Sequence, residues 1–292
     1  LCDDPEVEAV WVSTPNQFHC EHVLAAAGRG KHVVVEKPMA LSLAECEKMV
    51  SAVEKNKVKL LCGHTPSFNP AIRAMRKVVK SGELGRLCAL HTWMYTDWML
   101  RPRMPAELDL KLGGGVVYRQ GPHQIDTIRL LGGGMVRSVR AMTGQWMGER
   151  PAPGYYSAFL EFENGTPAVV VYNGYGYFDT SELTWGVGER HYNPEERARV
   201  RREFRNKTLD EEKAKEAMHF GGKREGEFSH GSAVQSDRAR RGIQGGGSFF
   251  GITLVTCERG DIRQSRDGIK SIATKGRKSF PSRDGARRAF PS

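Results

Sequence analysis

The sequence predicts an α/β chain in two unequal parts, a doubly wound parallel unit followed by an α+β unit with a large, mainly antiparallel sheet. Three observations carry this. Short apolar runs alternate with helical patterns over residues 9–64, and such alternation builds a parallel sheet covered on both faces. Longer strand-forming runs without intervening helices follow residue 87. Between two of them stands Asn164-Gly165, the strongest short hairpin signal.

The elements follow in order. The run Ala9-Val10-Trp11-Val12-Ser13 reads as a buried strand over 10–13, an amphipathic stretch over 17–27 as a helix, and Val33-Val34-Val35 as the next strand. Ser42-Leu43-Ala44-Glu45 is a capping box in which Ser42 and Glu45 satisfy each other's orphan backbone donors. It opens a helix whose apolar stripe is Leu43, Cys46, Met49, Val50 and Val53. A strand over 59–62 closes the unit. After a helix at 70–80 come strands over 87–95, 155–162, 168–172 and 249–257. Asn193-Pro194-Glu195-Glu196 has the cap, proline and acidic first turn of a helix start. Thr208 with Glu211 offers a second capping box, and the glycine-rich, basic stretch 220–247 reads as a mobile loop. Periodicity ends after Ile272. The domain reading is therefore 1–66, 67–280 and a disordered basic tail over 281–292.

Composition narrows the function. In 292 residues, 39% hydrophobic and 9% aromatic content is enough for a buried core, which excludes a wholly disordered chain. No apolar run approaches the roughly 18 residues of a membrane helix, so the expectation is a soluble protein without a membrane partner. The six cysteines are scattered and read as reduced thiols in a cytoplasm. Nine histidines show neither HExxH nor zinc-finger spacing, so no metal is expected; His19-Cys20-Glu21-His22 reads as a helix face over the sheet. Residues 1–189 hold 20 Lys+Arg and 20 Asp+Glu, whereas the last 103 hold 24 and 14, so the whole net charge of +10 sits in the last third. With no interleaved aromatics there, nucleic acid is not an expected partner. Leu1 is not an initiator Met and no signal core follows it, so both ends read as cut.

Ligands of an open parallel sheet sit outside the carboxyl ends of its strands. Here one strand ends in Ser13-Thr14-Pro15-Asn16, with His19 one turn into the next helix, and another in Glu36-Lys37-Pro38. Each is either an ordinary strand-to-helix turn or part of a binding crevice. A third constellation runs from Gly113-Gly114-Gly115 through Arg119 to His123 and Asp126. If the chain is helical from Pro122, His123 and Asp126 share a face while Ile125, Ile128 and Leu131 pack. A lone histidine at a helix start is more often structural than catalytic.

Taken together, these segments and the phrase Ser81-Gly82-Glu83-Leu84-Gly85 resemble the Gfo/Idh/MocA-type NAD(P)-dependent oxidoreductases, the family of glucose-fructose oxidoreductase and inositol dehydrogenase. The resemblance runs from about residue 5 to residue 270. It implies a partial Rossmann domain followed by a substrate domain, with NAD or NADP as cofactor. It also implies Ser13, Thr14, Pro15, Asn16, His19, Glu36, Lys37 and Pro38 as cofactor contacts and Lys37 and His123 as the catalytic pair. Tyr95-Thr96-Asp97-Trp98, Arg101-Pro102-Arg103 and Cys257-Glu258-Arg259-Gly260-Asp261 look most like the dehydrogenases of phthalate dihydrodiol breakdown.

The expected reaction is hydride transfer from a secondary carbinol. His123 takes the hydroxyl proton, and Lys37 holds the developing alkoxide or is itself the base. On the substrate side stand Tyr95, Arg101, Arg103, Arg119 and Asp126, the guanidiniums suited to carboxylates of an acidic small molecule. For Arg101 and Arg103 a solvated surface loop is the alternative. Two departures from the family stand out. No GxGxxG follows a strand near the N-terminus, which by resemblance places the first strand and its glycine turn upstream of Leu1. And Arg119 stands where many relatives carry an Asp four residues before the histidine; on a continuous helix it shares the face of His123. Rival readings are an impaired truncated product and an NAD(P)-sensing binding protein. The second domain's sheet face makes a homodimer or tetramer the expected assembly.

Overall fold

The computed structural model describes residues 1–63, 65–184, 193–220, 250–266, 268–274 and 276–281. In the first unit, β1 (Ala9–Val12), α1 (His19–Gly28), β2 (His32–Val35), α2 (Leu43–Lys55) and β3 (Leu60–Cys62) alternate, and the strands pair in parallel in the order β1-β2-β3. Val12, Val33 and Val35 bury against Val23, Ala26 and Ala27 of α1 and Met49 and Val53 of α2. The predicted capping box forms: Glu45 N donates to Ser42 Oγ and Ser42 N to the Glu45 carboxylate, both at 3.2 Å. Two expectations need correcting. Leu43 and Val50 are exposed, so the stripe of α2 is Cys46, Met49 and Val53 with Ala52. Trp11 and Leu61 are exposed too, and the described residues cover the parallel sheet on one face, not two.

The second unit opens with α3 (Pro70–Ser81), which has proline in its first turn, Asn69 capping the Ala71 N–H and Gly82 in the left-handed conformation after its end. There follow β4 (Leu87–Tyr95), α4 (Pro105–Leu108), α5 (Gly115–Arg119), α6 (Gly121–Gly132), β5 (Val136–Gly144), β6 (Tyr155–Phe162) and β7 (Pro167–Asn173). Then come α7 (Pro194–Arg205), α8 (Glu211–Phe220), β8 (Ile252–Cys257), β9 (Gly260–Ser265), β10 (Gly268–Ala273) and β11 (Gly276–Pro281). The sheet order is β11-β10-β9-β8-β4-β7-β6-β5. Among the described residues β4-β7 is the one parallel pair of this sheet, so the sheet is mixed though mainly antiparallel. Asn164-Gly165 makes its hairpin, with Gly165 at φ 81° and the Asn164 side chain accepting the Thr166 N–H. On one face, Leu90, Val170, Val255 and Ile262 of the sheet share a core with Met75 of α3 and Ile128 and Leu131 of α6. Trp93 and Phe159 are exposed.

The second predicted capping box does not form. The Thr208 hydroxyl donates to the Glu203 carbonyl, and Asp210 caps α8 by accepting the Lys213 N–H. Strands β9, β10 and β11 carry structure through 276–281, beyond the point where periodicity was expected to end. The predicted mobile loop falls largely on 221–249 and the predicted tail on 282–292, both outside the described residues.

Candidate active site

Two strand ends of the first unit meet one segment of the second. Asn16 Nδ2 donates to the Gly113 carbonyl at 3.2 Å, the Tyr118 hydroxyl to the Leu41 carbonyl at 3.4 Å, and Lys37 Nζ to the Arg119 carbonyl at 3.0 Å. Gly113 lies at φ 71°, and a Cβ there would stand 2.5 Å from Leu41 Cδ2. Glycine is what lets the units close at this point.

At the carboxyl end of β1, Ser13 and Pro15 are exposed, Asn16 is buried, and the Thr14 hydroxyl lies 3.0 Å from His22 Nδ1. At the end of β2, Glu36 and Lys37 are half-buried, Pro38 is buried, and the Lys37-Pro38 peptide is cis. His19 ties the two loops together. It is fully buried, with Nδ1 2.8 Å from the Pro38 carbonyl and Nε2 2.9 Å from the Thr14 carbonyl. Carbonyl oxygens only accept, so both ring nitrogens are directed at the backbone. The geometry therefore makes His19 an internal strap between the two strand-end loops.

His123 occupies the first turn of α6, buried, with its ring centroid 5.1 Å from that of Phe250. The next residue fixes the helix in place. Gln124 donates to Thr92 Oγ1 and to the Val171 carbonyl, both at 3.2 Å, and accepts the Tyr156 hydroxyl at 2.5 Å. Burial raises the Tyr156 hydroxyl well above its ordinary range, so it remains a donor. Gln124 and Tyr156 were not singled out in the sequence, because their pairing spans 32 residues. Asp126 follows His123 by one turn and is half-buried. Its charge reaches the end of β3, where burial first, then Cys46, Glu36 and Asp126, push the Cys62 thiol up to about 11.

Arg119 is not where a continuous helix would put it. α5 stops at Arg119, Gln120 breaks the path at φ −121° and α6 starts at Gly121. The four-residue relation to His123 is therefore lost, and the guanidinium turns toward Glu107, with Nη1 4.0 Å from Oε1. Arg101 and Arg103 do not lie in a solvated loop. Arg101 Nε is 2.6 Å from Asp97, a carboxylate also met by Arg197 and Arg201. Arg103 stacks 3.7 Å over the Trp98 ring and donates to the Trp98 carbonyl and to Glu107. Both are internal cations, and this geometry does not support the expected substrate contacts. Tyr95 stacks on Phe178 at 5.3 Å.

Glu107 is buried and meets Arg103 and Lys215 at 3.1 Å each. Its burial raises the carboxyl's pKa, but Arg103, Lys215, the Met104 N–H and Arg119 outweigh that and hold it at about 2. Among the described residues no group of three or more His, Cys, Asp or Glu could hold a metal ion, and no helix is long and apolar enough to cross a membrane.

Comparison with known proteins agrees with this architecture. Residues 1–64 match the oxidoreductase family with an NAD-binding Rossmann fold, and residues 72–186 match the GFO/IDH/MocA C-terminal domain. The 1-carboxy-3-chloro-3,4-dihydroxycyclohexa-1,5-diene dehydrogenase of Comamonas testosteroni is 38% identical over 274 residues, 94% of this chain and 67% of that protein. Levoglucosan dehydrogenase of Pseudarthrobacter phenanthrenivorans is 30% identical over 154 residues, 52% of this chain and 39% of its own length. A crystal structure from Bordetella bronchiseptica superposes with TM-score 0.82 at 38% identity, covering 94% of this chain and 68% of that one. A levoglucosan dehydrogenase complex with NADH and levoglucosan has the same fold, with TM-score 0.63 at 20% identity over 98% of this chain and 60% of that one.

Proposed function

Since the chain belongs to the GFO/IDH/MocA oxidoreductase family, we propose that it dehydrogenates a secondary carbinol, with His123 and Lys37 at the reacting oxygen. The observation that carries this is the bond from Lys37 Nζ to the Arg119 carbonyl at 3.0 Å. It brings a strand-end lysine of the first unit to the segment that leads into His123.

The carboxyl ends of β1 and β2 fit a nicotinamide dinucleotide: they form the crevice where open parallel sheets bind such groups, and Asn16 closes it against Gly113. Ser13, Thr14, Pro15, Asn16, Glu36, Lys37 and Pro38 would line it. Bound NAD or NADP supplies the hydride acceptor for the carbinol carbon. The chain's own residues manage the proton. A hydroxyl must lose its proton as the carbon–hydrogen bond breaks, so a base has to reach that oxygen, and His123 takes this role. The Lys37 ammonium, placed at the segment that leads into His123 by its bond to the Arg119 carbonyl, holds the developing negative charge. Burial of His123 limits the access of water to this transfer.

For the substrate we infer a cis-dihydrodiol carrying a carboxylate. The support is the 38% identity to a dehydrogenase named for a carboxylated dihydroxycyclohexadiene. The test is steady-state kinetics of the full-length protein with NAD(P)+ and a carboxylated cis-dihydrodiol. Lys37→Ala and His123→Ala should each lower turnover by about a hundredfold or more, the scale of a lost acid/base group. Near-parental turnover in either variant would remove that residue from the mechanism.

A further inference from the structure

We propose that Arg119 is the specificity-determining residue of this site and binds a carboxylate of the substrate through its guanidinium. The proposal rests on the reading of Lys37 and His123 as the reacting pair, and names the group that orients the substrate between them.

Three observations carry it. First, Arg119 belongs to the site by its backbone: its carbonyl accepts from Lys37 Nζ, and the next residue, Gln120, accepts the His123 N–H at 3.1 Å. Second, its side chain is only 24% exposed, and its Nε is buried with no hydrogen-bond partner. A guanidinium carries five N–H donors and stays charged, and a desolvated cation with unmet donors is stabilised strongly by an incoming anion. Third, the nearest carboxylate is already committed. Glu107 receives Arg103, Lys215 and the Met104 N–H at 2.9 to 3.1 Å, while Arg119 stands off at 4.0 Å, beyond hydrogen-bond range. Glu107 therefore has two closer cations of its own, and the Arg119 guanidinium is not hydrogen-bonded to it.

The helix break at Gln120 is what makes this possible. In an unbroken helix the residue four before His123 would stack on its face; with the break, the Arg119 carbonyl meets Lys37 while its guanidinium lies toward Glu107 without a hydrogen bond to it. The ligand class follows from shape. A planar fork of N–H groups pairs bidentately with a planar carboxylate, and a ring that bears a carboxylate beside its diol would present both groups to one wall of the site.

The full-length protein is titrated calorimetrically with benzoate and with benzamide, its neutral counterpart of the same shape. Its kinetics are measured on a carboxylated cis-dihydrodiol and on the parent diol lacking the carboxylate. The wild type should bind benzoate more tightly than benzamide. Arg119→Gln should abolish that preference and raise KM for the acid about tenfold or more, the scale of a hydrogen bond to a charged group, and raise KM for the neutral diol by a clearly smaller factor. Arg119→Lys should restore part of the preference through its charge. Equal losses on both substrates, or a wild type indifferent between benzoate and benzamide, would overturn the proposal. A wild type that binds benzoate through Arg119 yet oxidises neither diol would instead sink the dehydrogenase reading and leave the anion site standing.

Discussion

Arg103–Glu107 and Arg199–Glu203 are the same pair of residue types at the same four-residue spacing, and the fold treats them oppositely. The first has side chains 7% and 11% exposed; the second has 47% and 32%. Glu107 also receives Lys215 from α8, and Arg103 lies on the Trp98 ring. Among the described residues, Arg199 pairs along its own helix, with Glu196 and Glu203. Spacing makes either pair possible, but what packs over it decides whether the charges matter.

The sharpest way to break this comparison is Glu107→Gln. It leaves Arg103 and Lys215 facing a neutral amide in a buried place, and breaking such a pair costs about 3–5 kcal/mol. The pH dependence has a definite sign. Because the folded carboxyl titrates at about 2 rather than 4.5, the unfolded chain takes up its proton first as the solution is acidified. The stabilisation is therefore complete above about pH 4.5 and is lost as pH falls through about 2, a difference of about 3 kcal/mol. Urea midpoints of the wild type should drop across that window while those of Glu107→Gln stay flatter. An acid slope unchanged by the substitution would mean that other carboxylates set acid stability.

The contrast also explains what the sequence could disclose. The Ser42–Glu45 box, the Asn164-Gly165 turn and the loops after β1 and β2 are local, and local backbone geometry leaves a residue-type signature. Partners brought in by folding leave none. Glu107 and Lys215 are 108 residues apart, and nothing around Arg103 distinguishes it from a surface arginine until α8 packs there. The second capping box fails for a related reason: Thr208 and Asp210 both suit the position, and the Glu203 carbonyl captures the Thr208 hydroxyl. Strands β9 to β11 were hidden by their Lys, Arg and Ser content, which the outer part of a half-exposed sheet tolerates. Of the candidate site, Asn16, Lys37, Gly113 and His123 were legible as motif residues, whereas the turn of Arg119 toward Glu107 depends on a helix break that the sequence reading ran through.

His19 gives an intermediate case, a buried polar group whose partners are both backbone carbonyls. His19→Leu removes both contacts and leaves the Thr14 and Pro38 oxygens without them. A cost of about 1 kcal/mol or more follows from losing a hydrogen bond at a buried site. Because those oxygens belong to the two strand-end loops, KM for NAD(P) should rise more than KM for the diol. His19→Gln, which keeps a donor, should recover part of both effects. A variant with lowered stability but an unchanged cofactor KM would make the strap a matter of folding alone.

The smallest effect belongs to Arg199→Ala, although on paper this arginine has the stronger set of contacts, two carboxylates within one helical turn on either side. Its guanidinium is lifted above its ordinary range by the hydrogen bonds to Glu196 and then Glu203. That shift describes charges in contact with water. The solvent already stabilises each ion separately, holding three long side chains in one arrangement has its own entropy cost, and salt screens what attraction is left. Unfolding midpoints of the wild type and Arg199→Ala should therefore coincide, and a double-mutant cycle with Glu203→Ala should give a coupling too small to resolve in physiological salt. The same cycle on Arg103 and Glu107 should give a large coupling that added salt leaves in place. Equal couplings at the two sites would show that burial is not what separates these pairs.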